Sequence, residues 1–362
     1  QNLQYGITVT DKWLNEMKEG DLDKRALWAK VIQRRNEFGF PYIMFKDNSN
    51  NNSPYKELGM EITASNLCSE IQLPTDSYSS FVCCLGSINL LHWDDIIKTD
   101  AVETYVFFLN AVMNEFIAKA EVKAGLKRAY NFAKKHRAIG LGVLGYHSLL
   151  QSKLIEFESM EAKGLNNQIF KYLNEASESA SRYLAQEKGY ECIRKGYANT
   201  TLMAIAPTKS SSFIHGAVSM GIEPIKSNYF IKDLAKSKTI YKNPFLKEEL
   251  IKYDMDNDNT WDSILKKDGS VQHLDFPSKG VFKSFIEISP KEIIIQAAQR
   301  QKYLDQSQSL NLMIHPSVPA KDLNKLYLSA WELGVKTLYY QFSQSSAQAF
   351  SRNILECASC EG

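Results

Sequence analysis

The segment Asn66-Leu67-Cys68-Ser69-Glu70, followed by the pair Cys83-Cys84, decides how this chain is interpreted. In an extended segment residues two apart point the same way, so Asn66, Cys68 and Glu70 are predicted to share one face. That face would carry an amide, a thiol and a carboxylate, with a second thiol arriving on the next apolar run. Such a set suits redox or radical chemistry better than hydrolysis, which needs a base beside the nucleophile. The alternative is that the cysteines fill a core as small hydrophobic side chains.

The composition is that of a globular protein with a substantial core. The chain has 362 residues, of which 44% are hydrophobic and 23% charged, enough for one large α/β domain or two ordinary ones. A formal net charge of +2 gives no electrostatic case for nucleic acid or an acidic membrane surface. No run approaches the roughly 18 apolar residues that span a bilayer. We therefore expect neither nucleic acid nor membrane as a partner.

The cysteine content and the first residues bear on the cellular context. Six cysteines in a chain of this length do not make a disulfide scaffold, so a reducing cytoplasm is expected. The first residues show neither a signal peptide nor a transit peptide. Because the chain begins with Gln1, we expect a fragment, a processed product or a trimmed chain.

Helical and strand patterns alternate along the rest of the chain. Apolar periodicity predicts a helix over 11–37, divided at Gly20-Asp21, and further helices over 102–136, 158–188, 243–267, 290–303 and 320–333. Strands are predicted at 41–45, 309–314 and 335–341, and a polar connecting loop at 47–54. The final strand–helix–strand unit, formed by the strand at 309–314, the helix over 320–333 and the strand at 335–341, implies a right-handed parallel crossover.

The glycines of Gly140-Leu141-Gly142-Val143-Leu144-Gly145 match the dinucleotide fingerprint G-x-G-x-x-G only in form. The fingerprint has meaning after a strand and before a helix, whereas here it follows the basic end of a predicted helix. We expect instead that these glycines let a backbone turn pass close to another element.

A second informative segment runs through Pro207 into Thr208, Lys209, Ser210 and Ser211. An apolar strand breaks here into small hydroxylated residues that could begin a helix, where free N–H groups and the helix dipole hold phosphate. The alternative is an ordinary N-cap. His215, which follows, is interpreted as a packed histidine.

The end of the chain carries two further redox candidates. Adjacent tyrosines such as Tyr339 and Tyr340 ordinarily place one ring in the core and one on the surface. The alternative interpretation is a redox role, in which their phenols carry an electron and a proton stepwise. The terminal Cys357 and Cys360 form a C-x-x-C that suits thiol–disulfide exchange better than a structural zinc site. A flexible linker from Gln341 to Glu356 would span roughly 20–25 Å and could reach a nearby pocket.

Taken together, these segments resemble the C-terminal half of the catalytic (large, alpha) subunit of an aerobic, class I ribonucleotide reductase. The matching segments are Asn66-Leu67-Cys68-x-Glu70, Val82-Cys83-x-Leu85, Asn89-Leu90, Ala206-Pro207-Thr208-Lys209-Ser210-Ser211, Gly221-Ile222-Glu223-Pro224, Leu338-Tyr339-Tyr340-Gln341 and Cys357-x-x-Cys360. Each of these matches is weak evidence alone, but their occurrence in the same order is specific to the family. Together they cover the chain from about Pro41 onward.

The resemblance implies a role for each matching residue. Cys68 would become the thiyl radical that removes the ribose 3′ hydrogen, Glu70 would handle the 3′ hydroxyl proton, and Asn66 would hydrogen-bond at the ribose. Cys83 would be one of two cysteines that reduce the 2′ position, and Cys84 a packing residue. The remaining roles are radical transfer by Tyr339 and Tyr340, re-reduction of the active-site disulfide by the tail thiols Cys357 and Cys360, and binding of the substrate diphosphate by Thr208, Lys209, Ser210 and Ser211.

The fold that the resemblance implies is an α/β barrel of ten strands, made of two five-stranded half-sheets, with the radical cysteine on a finger loop inside. This chain would form about the second half of that barrel. The expected organisation is a helical lead-in over 1–40, the catalytic barrel portion over 41–341, and a flexible redox tail over 342–362.

The implied partners follow from the same resemblance. They are a ribonucleoside diphosphate, the N-terminal half of the large subunit, a small subunit that carries a di-metal centre and tyrosyl radical, and thioredoxin or glutaredoxin. No metal or cofactor is expected in this chain, and nucleotide effectors are expected to bind the N-terminal part. The second reducing cysteine has no match here, and Cys192 is a poor substitute because it follows a helix rather than lying on an apolar strand.

The expected activity is that of a ribonucleoside-diphosphate reductase, as one piece of a split or truncated large subunit that is inactive without its other half and the small subunit. Two alternatives remain open from the sequence. One is a non-catalytic assembly fragment, and the other is a stand-alone dithiol oxidoreductase that uses Cys357 and Cys360.

Overall fold

The computed structural model describes residues 4–234 and 237–343 as a mixture of helices and short strands. The strands are β1 (Gly6–Val9), β2 (Tyr42–Phe45), β3 (Leu85–Asn89), β4 (Gly140–Leu144), β5 (Tyr229–Leu234), β6 (Ser237–Lys242), β7 (Leu312–Ile314), β8 (Thr337–Leu338) and β9 (Gln341–Ser343). The helices are α1 (Asp11–Glu19), α2 (Leu22–Phe38), α3 (Lys46–Asn51), α4 (Pro54–Glu57), α5 (Trp93–Ile96), α6 (Ala101–Glu121), α7 (Lys127–His136), α8 (Tyr146–Ser152), α9 (Met160–Lys188), α10 (Ser211–Ile214), α11 (Pro244–Lys252), α12 (Asp258–Lys266), α13 (Pro290–Gln301) and α14 (Ala320–Glu332). Within the described ranges, none of these helices has the length and apolar character to cross a membrane.

Parallel pairing dominates the main sheet. β3 pairs in parallel with β4, isolated parallel bridges join Leu141 to Met203 and Ile205 to Gln308, and β7 pairs in parallel with β9. Five successive chain segments therefore run in one direction, which is the α/β arrangement that the sequence predicts. The crossover from β7 through α14 to β9 is parallel, as predicted.

A second sheet of three strands, in the order β1-β2-β8, contains both parallel and antiparallel pairs. β2 pairs antiparallel with β8, and β1 pairs in parallel with β2. The lead-in predicted as helical over 1–40 also contains a strand, because β1 at Gly6–Val9 belongs to the same sheet as β2. The two lead-in helices are confirmed, divided at Gly20, with Thr10 and Asp21 as side-chain caps of α1 and α2.

The polar segment predicted as a loop at 47–54 is a second correction. It forms α3 and the start of α4, which has Ser53 as its cap and Pro54 in its first turn. Asn50 Nδ2 donates to the carbonyls of Lys46 and Ile62 at 2.9 Å each. The asparagines thus satisfy backbone acceptors, a role that their composition alone does not reveal.

Other predicted helices are present with interruptions. The helix predicted over 102–136 divides into α6 and α7 around a 3₁₀ turn at Ala124–Leu126. The one predicted over 243–267 divides into α11 and α12, which are capped by Asn243 and Asn257. Asparagine accepts hydrogen bonds from the free N–H groups of a first turn, so each cap begins a new helix.

The glycine-rich segment 140–144 is a buried strand rather than a turn, but the close approach to another element is confirmed. A Cβ atom on Gly142 would lie 2.5 Å from the carbonyl oxygen of Ala204. The absence of a side chain therefore allows the neighbouring parallel segment to pack against β4.

Gly142→Ala is expected to destabilise the protein by about 2 kcal/mol or more, because backbone atoms must move to admit the methyl group. Chemical denaturation followed by circular dichroism measures the change. Gly164→Ala on α9 is the matched control, since nothing lies within 4 Å of its added Cβ, and helix propensity favours it by up to about 1 kcal/mol. Equal stability of the Gly142→Ala and wild-type chains would contradict the packing described here.

Candidate active site

Cys68 lies in a turn, not in the extended segment that the sequence predicts. The N–H of Ser69 donates to the carbonyl of Asn66 at 3.1 Å, and Ser69 has a positive φ of 69°. Asn66 Oδ1 also accepts from the N–H of Ile71 at 3.0 Å. The expectation of a shared extended face is therefore wrong. The turn nevertheless brings Asn66 and Glu70 together, because the Asn66 side chain lies close enough to lower the pKa of Glu70.

Glu70 is a buried carboxylate beside the loop thiol. It is only 3% exposed, and its Oε2 accepts from Ser309 Oγ at 3.2 Å. Burial raises the pKa of Glu70, opposed in part by hydrogen bonds from Asn66 and Ser309. A carboxyl group with a raised pKa can exchange a proton with a substrate hydroxyl nearer to neutral pH than an exposed glutamate can.

The two adjacent cysteines before β3 have different environments. Cys84 is buried and its thiol contacts the carbonyl of Leu109 at 3.5 Å, which is consistent with the packing role predicted for it. Cys83 is exposed. The protein around its thiol nevertheless desolvates it, and together with the charge of Glu70 this raises the pKa of Cys83 to about 11. Cys83 is therefore a protonated thiol within electrostatic reach of Glu70 and Cys68.

Glu70→Gln is expected to increase the alkylation rate of Cys83 at pH 8.5 by about threefold, because removal of the carboxylate charge lowers the thiol pKa. Iodoacetamide labelling with peptide mass spectrometry measures this rate. Glu57→Gln is the control, since that carboxylate is exposed on α4 and does not shift the Cys83 pKa. An unchanged or slower rate in Glu70→Gln would show that the two side chains do not interact.

Tyr339 makes the contact that joins the loop to the end of the sheet. Its hydroxyl lies 3.6 Å from Cys68 Sγ and donates to it, and its ring centroid is 4.5 Å from that of Tyr340. Both tyrosines are buried, 4% exposed each, so the prediction of one packed ring and one surface ring does not hold. Desolvation raises the pKa of Tyr339 far above the ordinary value, which keeps its phenol protonated.

Tyr42 on β2 belongs to the same aromatic cluster and was missed by sequence reasoning. Its ring centroid lies 4.7 Å from that of Tyr339 and 5.0 Å from that of Tyr340. The sequence shows Tyr42 only as one residue of a short apolar strand. The pairing of β2 with β8, which brings the three rings together, carries no local sequence signal.

A buried polar pair fixes the backbone at Tyr340. Asn311 Oδ1 accepts from the N–H of Tyr340 at 3.0 Å, and Asn311 Nδ2 donates to Glu223 Oε1. Glu223 comes from the Gly221-Ile222-Glu223-Pro224 segment, so that segment reaches the tyrosines through Asn311. The sequence analysis singled out this segment but did not predict the contact between Glu223 and Asn311.

The turn at 208–211 borders a cleft of about 360 Å³ whose lining includes Gly86, Thr208, Ser211 and His215. Thr208 has a positive φ of 52°, and its Oγ1 accepts from the N–H of Gly221 at 2.8 Å. Lys209 Nζ lies over the Tyr340 ring, 5.6 Å from its centroid. The predicted phosphate-binding turn and the tyrosine pair are thus neighbours. Cys357 and Cys360 lie outside the described residues.

The parallel segments, the loop thiol with its buried carboxylate and the tyrosine cluster define an α/β protein in which a loop thiol contacts a buried tyrosine. Comparison with known proteins identifies the family: the profile described as "Ribonucleotide reductase, barrel domain" matches residues 4–193 and 190–341. The chain belongs to the ribonucleotide reductase large-subunit family and contains its barrel domain.

Individual relatives agree with this assignment. The chain is 38% identical to the ribonucleoside-diphosphate reductase large subunit of Invertebrate iridescent virus 3, over 98% of this chain and 60% of the relative. It is 31% identical to the alpha subunit of Chlamydia muridarum, over 90% of this chain and 35% of the relative. The solved structure of the Actinobacillus ureae class Id ribonucleotide reductase alpha subunit matches with a TM-score of 0.90 and 52% identity, over 98% of this chain and 66% of that one. The chain thus spans about three fifths of the viral relative and two thirds of the solved subunit.

Proposed function

We propose that this chain supplies the radical-bearing part of the active site of a class I ribonucleoside-diphosphate reductase, which converts ribonucleoside diphosphates to deoxyribonucleoside diphosphates. The observation that carries the proposal is the contact between the Tyr339 hydroxyl and Cys68 Sγ, on a loop that also holds Glu70 and Asn66. A tyrosine that touches a thiol beside a buried carboxylate combines a route for a radical with a base for a substrate hydroxyl.

The radical reaches Cys68 through the two tyrosines. A Tyr340 radical takes an electron and a proton from Tyr339, and the Tyr339 radical then takes the hydrogen atom of the Cys68 thiol. The products of the second step are an intact phenol and a thiyl radical, so atoms and electrons balance. Burial keeps the Tyr339 phenol protonated, so loss of an electron from Tyr339 is coupled to transfer of its proton.

Chemistry on the substrate then uses the loop and Cys83. The Cys68 radical removes the 3′ hydrogen of the ribose, Glu70 accepts the 3′ hydroxyl proton, and Asn66 hydrogen-bonds at the ribose. Loss of the 2′ hydroxyl group as water consumes two thiol hydrogens and leaves a disulfide. Cys83 provides one thiol, and we assign the other to the portion of the relatives that this chain does not span.

The substrate diphosphate is assigned to the turn of Thr208, Lys209, Ser210 and Ser211. The cleft beside this turn is also lined by Gly86 and Ser87 of β3, which begins directly after Cys83 and Cys84. A diphosphate at the turn would therefore direct its ribose toward the thiols. Hydroxyl groups and the Lys209 ammonium provide donors suited to phosphate oxygens.

The complete assembly is proposed on the same grounds. The parallel segments described above would be about half of a ten-stranded barrel, with residues 66–70 as its finger loop. The partners would be the N-terminal part of the large subunit with its effector sites, a small subunit with a di-metal centre and tyrosyl radical, and thioredoxin or glutaredoxin acting on Cys357 and Cys360 of a flexible tail.

Reconstitution tests the proposal. The assay measures deoxyribonucleotide formation from a ribonucleoside diphosphate with dithiothreitol and a cognate small subunit, for this chain alone and with an added N-terminal half. Activity is expected only in the complete mixture. Activity of this chain alone would refute the assignment of the second reducing cysteine, and inactivity of the complete mixture would favour a non-catalytic assembly role.

A further inference from the structure

Three hydrogen bonds hold the backbone carbonyls of the loop at successive residues. The N–H of Ser307 donates to the carbonyl of Glu70 at 2.9 Å, Thr337 Oγ1 donates to that of Ser69 at 3.2 Å, and Ser309 Oγ donates to that of Cys68 at 2.7 Å. The donors lie on two parallel segments of the sheet, so the loop is fixed to a rigid part of the fold.

Ser309 differs from the other two donors because it also reaches an ionisable group. Its Oγ lies 3.2 Å from Glu70 Oε2, and the residue is 2% exposed. A serine hydroxyl has one proton to donate and lone pairs with which to accept. The Cys68 carbonyl and an ionised Glu70 therefore compete for that single proton.

We propose that Ser309 is a positioning residue that shares its hydroxyl proton between the carbonyl of Cys68 and the carboxylate of Glu70, and so links the ionisation of Glu70 to the anchoring of Cys68. This inference rests on the proposed function of the loop. When Glu70 is ionised, the charge-assisted bond draws the Ser309 proton toward Oε2 and weakens the bond to Cys68. When Glu70 is protonated, its O–H donates to Ser309 Oγ, and the Ser309 proton returns to the Cys68 carbonyl.

The groups around Glu70 allow this link to operate. The titratable groups that face the loop are Cys68 itself, Cys83 from the segment before β3, Tyr339 from the segment between β8 and β9, and Tyr42 from β2. Burial raises the pKa of Cys83 and of Tyr339, so both are protonated near pH 7. Among the described residues no lysine or arginine contributes to the pKa of Glu70, so no ion pair competes with Ser309 for the carboxylate.

The consequence concerns the order of events in the reaction. Glu70 gains a proton from the substrate after Cys68 has become a radical, and the same proton restores the full Ser309 bond to the Cys68 carbonyl. The loop is thus held most firmly while the radical is on the substrate. During that interval the Cys68 thiol must remain in place to give its hydrogen atom back to the substrate.

Titration of Glu70 in this chain tests the proposal. Carbon-13 NMR of chains labelled at the glutamate carboxyl carbon follows the ionisation, and Glu70→Gln assigns the resonance. In Ser309→Ala the midpoint is expected to rise by roughly one pH unit, since a donor to the charged form is lost. Ser309→Thr keeps the hydroxyl and should retain the wild-type midpoint. Ser307→Ala is the matched control, because its Oγ contacts Thr337 Oγ1 and not the carboxylate.

Turnover of the reconstituted enzyme provides the second measurement. Ser309→Ala is expected to lower kcat about tenfold with an unchanged KM, as a positioning defect at the thiol requires, and Ser309→Thr should restore it. Ser309→Gly removes the same hydroxyl, so it replaces Ser309→Ala if that variant does not fold.

An unchanged Glu70 midpoint in Ser309→Ala would overturn the proposal, as would an equal shift in Ser307→Ala, which would indicate general loosening. The NMR titration needs no turnover. An inactive reconstituted wild type would therefore count against the proposed function and leave the Ser309 link to be decided by the titration alone.

Discussion

Cys68→Ser is expected to abolish deoxyribonucleotide formation in the reconstituted enzyme, by at least about 10⁴-fold in kcat. A serine O–H bond is stronger than a thiol S–H bond, so a tyrosyl radical cannot withdraw its hydrogen atom. The substitution removes only the radical carrier, because Cys68 is partly buried and oxygen can replace sulfur as the acceptor from Tyr339. Substrate affinity, measured by equilibrium binding, should remain within about twofold of the wild type.

Cys192→Ser is the matched control for this prediction. Cys192 is also partly buried, and its thiol contacts the carbonyls of Arg194 at 3.4 Å and Tyr197 at 3.2 Å, which a serine hydroxyl can also reach. Normal turnover in this variant and none in Cys68→Ser would attribute the loss to the loop thiol. Turnover by Cys68→Ser at the wild-type rate would refute the radical role of Cys68.

The contents of the site were predictable from sequence, but its geometry was not. The residue types at 66, 68 and 70 indicate redox chemistry in any backbone conformation. Their arrangement depends on the positive φ of Ser69, which a serine adopts only when surrounding contacts hold it there. Those contacts come from Thr337 and Ser309, more than two hundred residues along the chain, so no local pattern could reveal them.

The same distinction explains which elements of the fold were predicted. Helices α1, α2, α9, α13 and α14 have long apolar periodicities, which a single segment contains in full. The helix at Lys46–Asn51 was missed because its asparagines bond to carbonyls on other segments, Asn48 to those of Trp331 and Val335 and Asn50 to that of Ile62. Strand β1 was missed because its four residues, which have mixed exposure, form a strand only by pairing with β2.

The tyrosine cluster shows how sheet pairing brings side chains from distant segments together. Tyr42 enters the site because β2 runs antiparallel to β8, which sets its ring against both Tyr339 and Tyr340. The Tyr339 hydroxyl donates to Cys68 Sγ at 3.6 Å. Transfer of a hydrogen atom requires the hydroxyl group of the tyrosine. Packing of the cluster requires only the aromatic rings.

Tyr339→Phe is therefore expected to reduce kcat by at least about 10³-fold while the protein remains folded. Phenylalanine keeps the ring between Tyr42 and Tyr340 but has no O–H group to exchange with the Cys68 thiol. Turnover in the reconstituted assay measures the loss. Tyr303→Phe is the control, because Tyr303 is a partly buried tyrosine whose hydroxyl donates to Asn167 Oδ1 at 3.0 Å, outside the site.

Tyr42→Phe separates a chemical role of the cluster from a packing role. If hydrogen transfer passes only through Tyr340 and Tyr339, removal of the Tyr42 hydroxyl leaves the path intact and lowers kcat by less than about tenfold, far less than Tyr339→Phe. Equal losses in the two variants would mean that the three tyrosines act as one unit, since the Tyr42 ring packs against both Tyr339 and Tyr340. Full activity of Tyr339→Phe would instead require a route to Cys68 that avoids the Tyr339 hydroxyl, which lies 3.6 Å from Cys68 Sγ.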